Sequence, residues 1–371
     1  MYPALAVLQR LLKSKVDVAL DQVLWVGSSA GMEVDLVKRE GVPYSDIPAA
    51  GVHGVGLQAL PGNLLQLLRG YLSARQVLHR FKPDAIFFTG GYIAVPVALA
   101  ARLTMLGKNR PRILVFLPDI EPGLALKLLI WLADHVAVSV EASRRYLSRR
   151  KQVSVTGYPV RADLGAWDAA EARRFFGLSD DLPVLCVTGG SRGARSINRA
   201  VTRLLPELLQ ETQVVHVSGH LDWAEIEQAQ WALPPELASR YHPYPYLHDE
   251  MGALLAVADV VLSRAGASSL GEYPLFGLPV ILVPYPYAWR YQMTNARYLA
   301  EKGEAIVIQD GELPNKLLST FKELIGDRQH LTQMRQSMSK LAQPQAAEAI
   351  ARLLYNLGKG ILAEGNQAWS V

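Results

Sequence analysis

The sequence predicts an α/β protein built as two doubly wound parallel-sheet domains, and three observations carry that expectation. Short β-rich runs alternate with helical stretches along the whole chain, the succession that strand–crossover–strand units produce. The runs are continuously apolar rather than alternating, as in strands covered by helices on both faces. The succession occurs twice, interrupted at VTGYPVRADLGAWD (155–168) by glycine, proline and polar residues.

The first element is MYPALAVLQRLL, an apolar stripe at helical spacing. Pro3 falls in its first turn, where a missing N–H has no partner to lose. Strands are expected at QVLWVGS, AIFFTGG, RILVFLPD, HVAVSV and QVSVTG in the first half. In the second half they are expected at PVLCVTGG, QVVHVSG, DVVLSRAG, PVILVPYP and AIVIQ. The last amphipathic stretch, PQAAEAIARLLYNLGKG, is expected to end on Gly358 and to be followed by a frayed tail. The expected domains are residues 1–158, residues 159–340, and a C-terminal helix and tail over 341–371. The two sheets should face a cleft at their carboxyl ends, where open α/β sheets bind ligands. A doubly wound half-domain starts with a central strand and a glycine turn before its first helix. This sequence starts at the helix, so either the sheet has an atypical edge here or the sequence as given lacks that strand and loop.

Composition bounds the function. Half of the 371 residues are apolar and 19% are charged, enough for two full cores. The single Cys186 excludes a disulfide framework and a cysteine metal site, and suits a reducing compartment. The apolar run at 124–140 is broken by Lys127, Asp134 and His135 before it reaches membrane-spanning length. No signal peptide is recognisable at the start, and the expected location is cytoplasmic, soluble or peripheral. A net charge of +4 suits an anionic substrate or membrane surface, and equally an ordinary basic surface.

Chemistry is expected at the glycine turns. In VVLSRAGASSLGEYPLFG a buried strand runs into Gly266, Ala267, Ser268 and Ser269, and a helix is expected to follow. Small residues, hydroxyls and free N–H groups at a helix start suit an anion. Glu272 is placed to accept hydrogen bonds from vicinal ribose hydroxyls, or to close a capping box. VTGGSRGARSIN (187–198) is a second such turn: Gly189, Gly190 and Gly193 permit positive φ, and Ser191 is available to a phosphate. FFTGGYIAVPVALAA carries the third, at Gly90 and Gly91. Gln292 and Asn295 share a helix face and suit a hydroxyl-rich ligand, or form a solvated polar face. In GNLLQLLRGYLSARQVLHRF, Leu64, Leu65, Leu68, Tyr71 and Leu72 lie near Arg69 and Arg75. That pattern fits a core-facing helix or one lying on anionic lipid. The histidines show no metal-ligand spacing, and His216, His220, His242 and His248 are expected on loops or the surface. No metal, cofactor or nucleic-acid partner is expected.

At these motifs the sequence resembles the MurG family, the UDP-N-acetylglucosamine transferases that complete lipid II in peptidoglycan synthesis. YPALAVLQRL resembles the family's first helix and TGGYIAVPVALAA its second glycine turn. VTGGSRGARSIN resembles its GGSxGAxxxN turn, and SRAGASSLGEYPLFGLPVILVPYPYAWRYQMTNA its donor block. The resemblance implies a GT-B fold of two Rossmann-like domains, with an acceptor- and membrane-side first domain and a UDP-sugar-binding second. It also implies inverting, metal-independent transfer to the C4 hydroxyl of the muramoyl sugar of lipid I. Carried over, Glu272 would bind the ribose, Gly266 to Ser269 the diphosphate, and Arg161 and Ser191 would line the donor site. Gln292 and Asn295 would hold the sugar, and Gly90, Gly91 and Asp119 would lie on the acceptor side. The partners would be UDP-N-acetylglucosamine and a polyprenyl-pyrophosphate acceptor, with peripheral contact at the cytoplasmic face of the membrane.

Two departures leave the general base unassigned. The family's proposed catalytic His would stand immediately before Met1. Where the family carries His-Glu-Gln-Asn, this sequence reads Phe116-Leu117-Pro118-Asp119-Ile120-Glu121. Asp119 and Glu121 are the carboxylate candidates, with Asp119 also expected to cap the next helix. A related lipid glycosyltransferase with another acceptor, such as a diacylglycerol, and a non-catalytic UDP-sugar-binding homologue are the alternatives.

Overall fold

The computed structural model describes residues 1–14, 18–28, 33–48, 60–104, 110–286 and 291–361. The chain forms two compact units, Met1–Pro159 with Gln345–Val371, and Val160–Pro344.

The first unit contains strands β1 (Trp25–Gly27), β2 (Tyr44–Asp46), β3 (Ala85–Phe88), β4 (Arg112–Leu117), β5 (His135–Val138) and β6 (Gln152–Val155). They form two separate parallel ladders among the described residues, β1–β2 and β3–β4–β5–β6. Ile113, Val115, Leu117, Val136 and Val138 are fully buried and anchor a core shared with Ala74, Leu78, Val97 and Leu129 from the covering helices. Helix Leu60–Phe81 packs against Ala94–Thr104, which packs against Leu124–Leu132, making one layer over the sheet. Small buried residues, Ala98, Ala100 and Ala101, let the middle helix approach its neighbours. Helix Tyr2–Lys13 begins as expected, with Pro3 in its first turn. It packs on the C-terminal helix Ala346–Gly358, which also lies against β3 and β4. That last helix therefore returns to the first unit.

The second unit contains β7 (Val184–Thr188), β8 (Gln213–Val217), β9 (Tyr241–Tyr244), β10 (Val260–Ser263), β11 (Val280–Leu282) and β12 (Ala305–Val307). The sheet is parallel throughout, in the order β12-β11-β10-β7-β8-β9. β7, β8, β10 and β11 are buried along their whole length, which explains their unbroken apolar runs. The chain leaves β7 in one direction and returns on its other side at β10. The topological switch point therefore lies between these two strands, where such sheets open a crevice at their carboxyl ends.

Two of these strands have no apolar signature. β9 (YHPY) is an edge strand and tolerates Pro243 because its outer N–H groups need no partner. Among the described residues β2 (YSD) pairs only with β1.

Candidate functional site

Two turns meet at the switch point of the second unit. Residues 189–194 follow β7, and residues 264–271 follow β10. In the first turn Gly190 and Gly193 adopt positive φ, at 78° and 75°. Gly193 has a second reason to be glycine, because a Cβ there would overlap the Ser218 carbonyl oxygen after β8. Gly189, expected at positive φ, is not among the positive-φ glycines; a Cβ on it would collide with the Ala194 backbone nitrogen. Ser191 and Arg192 are exposed at the tip, and helix Arg195–Arg203 follows.

The second turn removes one of the two readings of its serines, the capping box. The helix expected after Ser269 is present as the short α-helix Glu272–Phe276, but a 3-10 turn over Ala267–Leu270 precedes it. Neither has a side-chain cap. The Ser269 hydroxyl turns back to donate to the Gly266 carbonyl at 2.6 Å, so the capping box does not form. Open space lies beside Gly266, where an added Cβ would meet nothing within 4 Å. Glu272 is half-buried and hydrogen-bonds Ser268. Burial raises its pKa, while the Ser268 hydroxyl and the charge of Arg161 oppose that rise. Arg161 itself pairs with Asp163 at 3.2 Å and donates to the His248 carbonyl at 3.4 Å.

The remaining second-unit candidates divide. The Gln292 amide oxygen accepts from the Tyr285 N–H at 2.9 Å. Asn295 is fully buried, and its amide nitrogen donates to the Ala265 carbonyl at 3.2 Å. In this arrangement Asn295 braces the Gly266 turn from behind. Rings line the neighbouring strand ends: His220 stacks on Tyr246 with centroids 6.0 Å apart, and Tyr246 meets His248 at 4.7 Å.

His216 overturns its surface expectation. It is fully buried in β8, with Nδ1 2.9 Å from the Tyr241 hydroxyl and Nε2 3.0 Å from Asn198 Oδ1. Asn198 in turn donates to the Ser218 carbonyl and to Asp222, each at 2.9 Å, and Asp222 accepts from Arg195 at 2.7 Å. Burial pushes the His216 pKa down to about 3, so the ring is neutral. This network holds the helix after the first turn against the loop after β8. Its sequence signal was the buried phase of Asn198 in its helix, which spacing alone does not separate from a polar face.

In the first unit, Gly90 and Gly91 follow β3 with φ of 112° and 90°. Asp119 and Glu121 lie on a bend after β4, and Glu121 is only 6% exposed. Asp119 is not the helix cap: helix Leu124–Leu132 starts five residues later, behind its N-cap Gly123. Pro122 disfavours helical backbone at Glu121, which delays the start. On helix Leu60–Phe81, Gly70, Ala74 and Leu78 face the core, while Leu65, Leu68 and Leu72 are 47%, 55% and 48% exposed. Arg69 and Arg75 are exposed beside them, and Tyr71 is half-buried. The side chain of Leu64 lies outside the described residues. Among the described residues no helix is long and apolar enough to cross a membrane, and no cluster of His, Cys, Asp and Glu could hold a metal ion.

Residues 1–138 match the glycosyltransferase family 28 N-terminal domain, and residues 184–353 match the family's C-terminal domain. The chain belongs to glycosyltransferase family 28. A relative from Roseiflexus sp. (strain RS-1) is 41% identical over 90% of this chain and 83% of its own length. It is named UDP-N-acetylglucosamine–N-acetylmuramyl-(pentapeptide) pyrophosphoryl-undecaprenol N-acetylglucosamine transferase. A protein of the same name from Desulforamulus reducens is 35% identical over 95% of this chain and 94% of its own. Among solved structures, Acinetobacter baumannii MurG superposes with a TM-score of 0.71 at 26% identity, covering 96% of this chain and 95% of that one. CalG4, the calicheamicin glycosyltransferase, shares the fold at 15% identity, with a TM-score of 0.63 over 98% of this chain and 96% of its own. The fold is GT-B, and this family 28 chain is a glycosyltransferase of the MurG type.

Proposed function

We propose that this chain transfers N-acetylglucosamine from UDP-N-acetylglucosamine to the C4 hydroxyl of the muramoyl sugar of lipid I, with inversion, giving lipid II. The observation that carries this is the named activity of relatives that match nearly end to end. In the proposed site the turns at 189–194 and 264–271 supply N–H groups and hydroxyls to the diphosphate. Such preorganised dipoles stabilise the charge that develops on departing UDP. Glu272, as carboxylate, accepts from the ribose hydroxyls, with Arg161 beside it. Gln292 offers its amide N–H groups to the sugar, and Asn295 acts by bracing the turn. Asp119 and Glu121 are the proposed candidates for drawing the proton from the acceptor hydroxyl, with Gly90 and Gly91 beside the acceptor.

The acceptor's polyprenyl chain resides in a bilayer, so contact with the membrane's inner surface belongs to the same proposal. The exposed Leu65, Leu68 and Leu72 stripe with Arg69 and Arg75 supports it: apolar side chains insert at the interface while guanidinium groups meet anionic headgroups.

Incubating the chain with radiolabelled UDP-N-acetylglucosamine and a lipid I analogue tests the reading. The expected product is the disaccharide lipid, with release of UDP. Label passing only to a diacylglycerol acceptor would reassign the acceptor, and UDP binding without transfer to any acceptor would indicate a binding protein.

A further inference from the structure

Arg264 opens the small-residue turn after β10, where an arginine would ordinarily serve a phosphate. Its donors are committed elsewhere. Nη2 donates to the Ser196 hydroxyl at 2.7 Å, and Nη1 donates to the Val283 carbonyl at 3.0 Å and to Asp310 Oδ1. The Ser196 hydroxyl passes the contact on, donating to the same Asp310 oxygen at 2.6 Å. The guanidinium also lies over the Tyr285 ring, 5.3 Å from its centroid.

We propose that Arg264 is a positioning residue whose clamp on Ser196 and Asp310 sets the spacing of the two switch-point turns and, through Tyr285, the aim of Gln292. The partners come from four consecutive strands of the sheet. Ser196 lies on the helix after β7, Arg264 follows β10, Val283 and Tyr285 follow β11, and Asp310 follows β12. A planar guanidinium with a fixed fork of donors can hold three such groups at set angles, which a lysine ammonium cannot. The side chains of Arg264 and Asp310 are only 12% and 20% exposed. Removing one partner therefore strands a poorly solvated charge, which makes the paired arrangement stiff. Because Asp310 matches its charge, Arg264 contributes geometry to the site rather than a free cation. Tyr285 extends the effect: its N–H fixes the Gln292 amide oxygen, leaving the amide N–H groups as the end available to a sugar.

This inference rests on the proposal that the turns hold UDP-N-acetylglucosamine, and the test separates the two. Ser196→Ala, Arg264→Lys, Arg264→Ala and Tyr285→Leu are made in the full chain. Affinities for UDP and UDP-N-acetylglucosamine are measured by calorimetry, and hydrogen exchange at 188–195 and 263–271 is followed without ligand. Ser196→Ala and Arg264→Lys are expected to weaken both nucleotides by about tenfold, the scale of a lost charge-assisted hydrogen bond, and to speed exchange in both turns. Arg264→Lys should retain more affinity than Arg264→Ala. Tyr285→Leu should weaken the sugar nucleotide by about fivefold, less than one such hydrogen bond, and leave UDP unchanged. Folded variants whose affinities and exchange match the parent, or whose thermal midpoint alone falls, would overturn the clamp. A parent chain that fails to bind UDP would overturn the functional reading, and the exchange measurement would still decide the clamp.

Discussion

Glu272 stands under opposing influences: burial favours its protonated form, while Ser268 and Arg161 favour the carboxylate. Burial wins, so protonation begins at higher pH than for an exposed glutamate. Only the carboxylate accepts two ribose hydroxyls. The donor KM should therefore rise as pH falls, starting above the ordinary carboxylate range. Glu272→Gln should bind donor about tenfold more weakly at neutral pH and show no such rise, checked by KM profiles in both chains. His216 makes a stability prediction. Its folded pKa is about 3 against an ordinary 6.5, so the unfolded chain takes up the proton first as pH falls. Its contribution is present in full above pH 6.5 and is lost as pH falls from there toward 3, by about 1.4 kcal/mol for each unit. His216→Gln should be less stable at pH 7.5 and have a flatter profile between pH 6.5 and 4, measured by denaturant melts. Neither behaviour was visible in composition. VVHV shows a histidine in an apolar run, and only the presence of Tyr241 and Asn198 on either side of the ring explains its burial.

At the scale of elements, legibility followed burial. β7, β8, β10 and β11 are covered on both faces, so their sequences are unbroken apolar runs that mark them as strands. β9 and β2 escaped because an edge strand of three or four residues needs neither an apolar run nor freedom from proline. In the segment after β10 only the capping-box reading fails. Ser268, Ser269 and Glu272 have the composition of a capped helix, but Ser269 bonds back to Gly266 and the backbone tightens into a 3-10 turn. Helix Leu60–Phe81 has the core-facing side that one of its readings requires, and three leucines exposed on its outer side support the proposed membrane contact. Replacing Leu65, Leu68 and Leu72 together by serine should leave the thermal midpoint within a few degrees, since surface changes away from packed features cost little. The same change should abolish co-flotation with vesicles containing anionic phospholipid. Retained flotation would place membrane contact elsewhere.

For the molecule as a whole, the proposed donor residues from Arg161 to Asn295 all fall within Val160–Pro344, which has its own sheet and core. A fragment spanning 160–344 should fold and bind UDP with an affinity within about threefold of the full chain, and should transfer no sugar. The first unit should not survive the matching cut. Deleting residues from Gln345 removes the helix packed on β3, β4 and Tyr2–Lys13, including the fully buried Ile350 and Ala351. Limited proteolysis of that deletion should degrade the first unit and spare the second.

The local character of each segment was enough to place the strands with apolar runs, the glycine turns after them and the two-part α/β architecture. Apolar runs, positive-φ glycines and helix periodicity are properties of a few neighbouring residues. How those turns are held was decided only by long-range packing. Arg264 and Ser196 are 68 positions apart, and Ser196 and Asp310 are 114 apart. The sheet order that brings them together puts β10 beside β7, skipping the two strands between them in the chain. Whether a polar side chain faces ligand, solvent or a buried partner depends on that adjacency, and no window of sequence contains it.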